Sequence, residues 1–278
     1  MLPDPSSPVS RWLHLAFELC DAADEIAMRH FRRDLHIDTK PDGSLVTQAD
    51  HAIETLIRER ITAEFPDHGF VGEEYGSAEG AAPQRWYIDP IDGTHNYVRG
   101  IPIFATLLAV EDGHELVLGV VSAPALRARW FAWRGGGAWA LEWDSANGAG
   151  GWHPDQARRL RVSGVHRIED AQLLYSSLSE ISAAAPGFQP LLGRAWRDRG
   201  FGDFWGYVLV AEGAADAMIE VGMHSWDLAP MQVLLEEAGG RLTDLDGTRT
   251  IHSAGALASN GELHAALIDG LRESPRSA

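Results

Sequence analysis

The segment from Trp86 to Tyr97 reads Trp-Tyr-Ile-Asp-Pro-Ile-Asp-Gly-Thr-His-Asn-Tyr. Its apolar opening predicts a strand. Pro90 biases Asp89 toward extended backbone and removes a ladder donor, so the strand is expected to end at Asp89. In a continuing strand Asp89 and Asp92 would point to opposite faces. A turn through Pro90 and Ile91 instead brings both carboxylates, and the Ile91 carbonyl between them, around one point. That all-oxygen set suits Mg²⁺, which favours carboxylate, carbonyl and water ligands. Gly93 and Thr94 follow where the backbone can turn into a helix and offer N–H groups to an anion, which puts a phosphate cradle beside the metal ligands. Asp-Pro and Asp-Gly pairs are also common turn formers. Turn propensity alone, however, does not require two acids, a small gap and a hydroxyl together.

Four further acids stand at or beside places where an element begins or ends. Glu73 and Glu74 follow the apolar pair Phe70-Val71 and precede Tyr75-Gly76, so one of them leaves a strand end. An acidic pair before a glycine is equally a solvated loop. Asp227, after Trp226, opens a helical stretch and is open to reading as an N-cap. Asp50 is open to reading as first-turn charge on a helix.

The elements that must position these acids can be read from periodicity. Residues 12–31 carry apolar side chains at helical spacing with Ser10 available as a cap, and a second stripe from Ile53 to Phe65 predicts a helix from near Gln48 to before Pro66. Between them, Pro41, Asp42 and Gly43 are turn chemistry. Residues 86–88, 104–111, 116–122, 129–133 and 138–142 read as strands of a largely antiparallel sheet. Residues 144–155 are polar and glycine-rich, a surface excursion or a seam between a first half, 1–143, and a second half, 156–278. In the second half strands are expected at 172–175, 217–221 and 256–259, and helices at 204–212, 228–238 and near 262–271. That alternation is α/β in style, within a single domain spanning 1–278.

Composition narrows the function. Apolar residues make up 45% of 278 and charged residues 23%, the balance of a chain that folds compactly. The 40 Asp and Glu against 23 Lys and Arg give a formal charge of −17, which repels a nucleic-acid backbone. It also poses a difficulty for any phosphorylated substrate, which cations held by some of the carboxylates would resolve by reversing the local sign. Cys20 is the single cysteine, so no internal disulfide or cysteine-based zinc cluster is expected, and the chain fits a reducing, cytoplasmic compartment. No apolar run is long enough to span a membrane, and Met1 to Ser10 carries Asp4 and prolines where a signal peptide would be basic and then apolar.

Asp89-Pro90-Ile91-Asp92-Gly93-Thr94, preceded by Gly72-Glu73-Glu74 and followed by Trp226-Asp227 and Glu236-Glu237-Ala238-Gly239-Gly240, resembles the inositol monophosphatase family of magnesium-dependent, lithium-sensitive phosphatases. The resemblance spans nearly the whole chain. It implies a layered α-β-α-β-α sandwich and a phosphomonoesterase site holding two or three Mg²⁺. Carried over by position, Glu73, Asp89 and the Ile91 carbonyl would hold the first metal and Asp89, Asp92 and Asp227 the second. Asp50 matches the acid near a third, weaker one. Glu73, Asp92 and Thr94 would form the catalytic set, with Thr94 and Glu73 orienting a water activated by two metals, and the Gly93 and Thr94 amides would hold the phosphoryl oxygens. A homodimer is expected by the same analogy.

Relatives act on different phosphate esters. Arg199-Gly200-Phe201-Gly202-Asp203-Phe204-Trp205-Gly206-Tyr207, with Thr39-Lys40-Pro41-Asp42 and Tyr175-Ser176-Ser177-Leu178, resembles the histidinol-phosphate phosphatase branch of actinobacterial type, a step of histidine biosynthesis. Alignment back from Asp227 places Asp203 and Glu220 where the family faces the substrate's alcohol. Histidinol phosphate carries an ammonium and an imidazole that two carboxylates would pair with, whereas a neutral polyol has less use for them. Asp203 is also readable as a cap before the helix at Phe204. The alternatives are an inositol-monophosphate phosphatase and, further off, a non-enzymatic relative.

Overall fold

The computed structural model describes residues 3–33, 35–41, 43–143, 152 and 156–273. The expected excursion at 144–155 lies almost wholly outside the described residues, as does Asp42. Among the described residues no helix is long and apolar enough to cross a membrane.

Helix α1 (Pro8–His30) opens with the Ser7 hydroxyl accepting from the Ser10 N–H, and α2 (Gln48–Glu64) with a reciprocal pair between Thr47 and Asp50. A hairpin of β1 (Ile37–Thr39) and β2 (Leu45–Thr47) joins them, and its turn holds Lys40. Then come β3 (Gly69–Gly72), β4 (Gly76–Ala78), β5 (Gln84–Asp92), the short helix α3 (Thr94–Val98), β6 (Ala105–Asp112), β7 (Glu115–Ala123), β8 (Ala128–Trp133), β9 (Gly137–Glu142) and β10 (Arg158–Arg159). These strands form one eight-stranded sheet in the order β10-β9-β8-β7-β6-β5-β3-β4, antiparallel except where β3 runs parallel to β5. The remainder comprises β11 (Gln172–Tyr175), α4 (Leu178–Ala184), α5 (Phe188–Leu192), β12 (Arg197–Arg199), α6 (Asp203–Ala211), β13 (Ala217–Val221), α7 (Ser225–Glu237), β14 (Arg241–Thr243), β15 (Gly255–Ser259) and α8 (His264–Arg272). Its five strands make a mixed sheet, β12-β11-β13-β15-β14.

Side-chain alternation sorts these elements into layers. In β5 and β6, Trp86, Ile88, Leu108 and Val110 pack with the buried stripes of α1 and α2, while Tyr87, Leu107 and Ala109 face α6 and α7. The second sheet buries Met218 and Ala258 against α6 and α7, and Leu173, Ile219 and Leu257 against α4, α5 and α8. The result is the expected α-β-α-β-α sandwich, with α6 and α7 shared by both sheets. Each fully buried Leu or Ile contributes roughly 1.5–3 kcal/mol, so α7, buried from Leu228 through Leu235, is the chief cohesive element between the sheets.

The close approach of α7 depends on one glycine. A Cβ at Gly119 of β7 would lie 2.6 Å from the Pro230 carbonyl oxygen and 3.0 Å from its Cα. Only a residue without a side chain lets this helix lie on the sheet, and that seat delivers the first turn of α7 to the end of β5.

Two boundaries differ from expectation. The strand does not end at Asp89 but runs to Asp92, and α6 starts at Asp203, not Phe204, with no side-chain cap at Gly202. Both differences fall on residues of the site.

Candidate active site

In the β5–β6 ladder Asp89 pairs with Leu107 and Asp92 with Ala105, so three steps on β5 oppose two on β6. The extra residue is a bulge. It resets the alternation so that Asp89 and Asp92 converge without the strand ending, and the Thr106 hydroxyl secures it by donating to the Pro90 carbonyl at 2.8 Å. Because β3 runs parallel to β5, their C-terminal ends lie side by side, and the Glu73 N–H donates to the Ile88 carbonyl at 3.2 Å. Asp227 arrives from the first turn of α7, where its Oδ2 accepts from the His224 N–H at 2.8 Å. Carboxylate oxygens of Asp89, Asp92 and Asp227 lie within 4.8 Å of one another.

These groups line a cavity of about 290 Å³ with Glu73, Ile91, Gly93, Thr94 and Asp203. Burial, and then the charges of Glu73, Asp92 and Asp227, push Asp89 well above the usual carboxylate range. Burial and the charges of Asp203 and Asp227 do the same for Asp92, against the pull of a 2.7 Å hydrogen bond from the Phe204 N–H. Asp89 Oδ1 is buried without a hydrogen-bond partner. A buried acceptor of this kind, in an all-oxygen group of like charges, calls for a cation, and the donor set fits a hard divalent ion such as Mg²⁺.

Thr94 Oγ1 donates to the Ile91 carbonyl at 3.0 Å, which commits its proton and leaves its lone pairs to accept. Gly93 turns the chain from β5 into α3 at φ 79°, a left-handed conformation that glycine adopts freely. Asp50 stands apart. It does not line the cavity, and its Oδ2 accepts from Thr47 N at 2.8 Å and Thr47 Oγ1 at 2.6 Å, the first-turn role also read from sequence. Its Oδ1 is buried without a partner, and burial, helped by Glu74 and Glu73, pushes the carboxyl up to about 7 despite the Thr47 bonds.

On the other wall Asp203 occupies left-handed backbone, φ 57°, and does not cap α6. Its Oδ2 accepts from Asn96 Nδ2 at 2.8 Å, and its N–H donates to Glu220 Oε1 at 3.2 Å. Glu220 is buried behind it, and burial with the Asp203 charge pushes it up to about 8. Trp205 leans on Phe201 at 4.8 Å and packs on the central core away from the cavity, whereas His95 and His224 line it.

Periodicity and motif reading missed Lys40 as a site residue, noting it only within a resembling segment. Its Nζ donates to Glu73 Oε1 at 2.7 Å and Glu74 Oε1 at 2.8 Å. Burial works against the ammonium, but these bonds outweigh it and hold it charged. Glu54 was missed as well: fully buried in α2, it accepts from the Glu74 N–H at 2.7 Å and the Tyr75 N–H at 3.2 Å, which fixes the turn carrying Glu73. A glutamate on the buried side of an amphipathic helix was the available signal.

The model of the inositol monophosphatase family matches residues 9–276. The chain belongs to the inositol monophosphatase family. Within the family, a histidinol-phosphatase of Streptomyces coelicolor is 45% identical over 94% of this chain and 97% of that protein. A histidinol-phosphatase of Mycobacterium tuberculosis is 46% identical over 91% of this chain and 94% of that one. Among solved structures, the Thermotoga maritima IMPase superposes with TM-score 0.80 at 28% identity, over 94% of this chain and 96% of that chain. The extragenic suppressor protein SuhB of Bartonella henselae does so with TM-score 0.83 at 26% identity, over 95% and 99%. The layered sandwich is thus the family fold, and the bulged end of β5 lies in its Asp-Pro-Ile-Asp-Gly-Thr segment.

Proposed function

We propose that the chain is a Mg²⁺-dependent phosphomonoesterase that hydrolyses histidinol phosphate to histidinol and phosphate. The observation that carries the substrate reading is Asp203, a carboxylate lining the same cavity as the acidic group, with Glu220 hydrogen-bonded behind it. The two actinobacterial histidinol-phosphatases support it.

In this reading Glu73, Asp89, the Ile91 carbonyl, Asp92 and Asp227 hold two cations, with Asp50 near a third. Such cations, when bound, neutralise the phosphoryl charge and acidify water. The protein's own groups do the rest. Thr94 Oγ1, its proton committed to Ile91, can only accept from the attacking water and so turns an oxygen lone pair toward phosphorus. Glu73 orients the same water, held in place by Lys40 and by the Glu54-bound turn. Water forms its bond to phosphorus in line as the bond from phosphorus to the alcohol oxygen breaks; the water gives up a proton to solvent and the alcohol oxygen takes one from solvent, while the Gly93 and Thr94 amides hold the phosphoryl oxygens. Asp203 faces the cationic groups of the alcohol, while Glu220, expected from sequence to do the same, does not line the cavity and stands behind Asp203, accepting its N–H. A cationic group beside Asp203 would offset the carboxylates crowded around it, which favours a cationic alcohol over a neutral polyol.

Residues 1–143 then supply the phosphate cradle and every proposed metal ligand but Asp227, and 156–278 supply Asp227 and the substrate half of one catalytic domain. The buried, unpaired Cys20 supports a reducing, cytoplasmic setting, and a homodimer remains the family expectation. Phosphate release from histidinol phosphate, inositol 1-phosphate and glycerol 2-phosphate, with Mg²⁺ and after chelation, tests the proposal. The expected order puts histidinol phosphate first, with activity abolished by chelator and restored by Mg²⁺. Preference for the inositol ester would replace the substrate assignment, and full activity after chelation would overturn the metal reading.

A further inference from the structure

Asn96 lies two residues beyond Thr94 on α3, and its side-chain amide reaches across to the second half of the chain to donate to Asp203 Oδ2 at 2.8 Å. Asp203 is otherwise held through its backbone. Its own N–H donates to Glu220 Oε1 at 3.2 Å, and the next N–H, that of Phe204, donates to Asp92 Oδ2 at 2.7 Å. The left-handed φ of 57° at Asp203 sets where its side chain leaves the backbone but not how the carboxylate rotates. Around it Asp92, Asp227 and Glu220 repel a carboxylate, and His95 of the same cavity attracts it without a hydrogen bond, so an Asp203 released from Asn96 would turn away from the acids. The Asn96 amide opposes that rotation with a hydrogen bond to a charged acceptor, one of the stronger kinds in a protein.

We propose that Asn96 is a positioning residue for substrate choice: it holds the Asp203 carboxylate facing the leaving-group side of the cavity. The short helix that begins with Thr94 then sets both the geometry at phosphorus and the selectivity for a cationic alcohol. This rests on the histidinol-phosphate reading above. Asn96 touches neither the reacting atoms nor the alcohol and acts through Asp203.

The experiment is steady-state kinetics with Mg²⁺ on wild type, Asn96→Ala, Asp203→Ala and the double variant, using histidinol phosphate and the uncharged-alcohol ester glycerol 2-phosphate. Asp203→Ala should lower kcat/KM for histidinol phosphate by about ten- to a hundredfold, through KM more than kcat, and affect the neutral ester much less. Asn96→Ala should reproduce that pattern at about tenfold, and the double variant should be no worse than Asp203→Ala, because the two act as one unit. If Asn96→Ala does not give folded protein, Asn96→Ser takes its place in the same cycle. Equal losses on both esters in the Asn96 variant, or losses that multiply in the double variant, overturn the inference while Asp203→Ala still discriminates. Should Asp203→Ala lower both esters equally, the histidinol-phosphate reading fails and takes the role of Asn96 with it.

Discussion

The Phe204 N–H donates to Asp92 Oδ2 at 2.7 Å, joining residues 112 apart in sequence. Through this bond the start of α6, where Asp203 stands, is tied to the acidic group at the end of β5. The start of α6 and the bulged end of β5, which both line the cavity, are thereby tied together.

Asp92→Asn and Asp227→Asn should each lower kcat by on the order of a hundredfold or more, since loss of a partner one shell further out already reduces metal affinity or activity by about 10- to 100-fold. The same variants should melt no lower than wild type without Mg²⁺, because each removes a charge from a mutually repelling buried group. Calorimetric titration with Mg²⁺ and thermal melts of the same samples check both statements. A folded variant with near wild-type kcat would exclude that residue from the metal site.

Gly119→Ala should destabilise the protein by about 1–3 kcal/mol, because the new methyl meets the backbone of Pro230, which cannot give way as a flexible side chain would. The displacement of α7 carries Asp227 with it, so Mg²⁺ affinity should fall although residue 119 is remote in sequence from every acid of the site. Thermal melts and Mg²⁺ titration read the two effects, and an unchanged melt would mean that α7 adjusts freely.

Arg129 is fully buried and bonds Asp24 and Asp21 of α1 at 2.9 Å each, and Ser122 of β7 at 3.0 Å. Burial raises Asp24 to about 6 even with the guanidinium beside it. Arg129→Met strands that carboxylate and should cost about 3–5 kcal/mol in denaturant unfolding. Arg129→Met combined with Asp24→Leu should recover much of the loss, since an apolar pair can replace a buried ion pair. Turnover at low temperature should survive, because these residues lie outside the cavity described above.

His264 is enclosed between the hydroxyls of Thr243, at 2.9 Å, and Ser259, at 2.8 Å. Burial, and then Arg241, lower it from 6.5 to about 4. A histidine lowered on folding stabilises fully above its unfolded value and loses that contribution as pH falls from about 6.5 toward 4, where the unfolded chain takes up the proton first. Urea midpoints of wild type should therefore drop across that window more steeply than those of His264→Gln. Parallel curves would show that the ring accepts a proton without loss of its contacts.

The acids of the site were legible in the amino-acid sequence because chemistry had concentrated them: two aspartates around a proline at a strand end, a glutamate pair after a short strand, an aspartate in the first turn of a helix. The amphipathic stripes of α1 and α2 and the run of antiparallel strands were legible because burial on one face leaves a period. What periodicity could not carry was the bulge at Pro90, since a strand that ends and a strand that slips by one residue share the same local propensities and only pairing with β6 distinguishes them. Lys40, Glu54 and Asn96 gave little local sign for the same reason. Each owes its role to a partner brought close by packing, Lys40 in the hairpin turn to Glu73 after β3, Glu54 to that same turn after β3, and Asn96 to Asp203 from the other half of the chain. Residue type determined which groups could hold a cation and a phosphate. Tertiary packing, through the seat of α7 on Gly119 and the left-handed turn at Asp203, decided how they face one another.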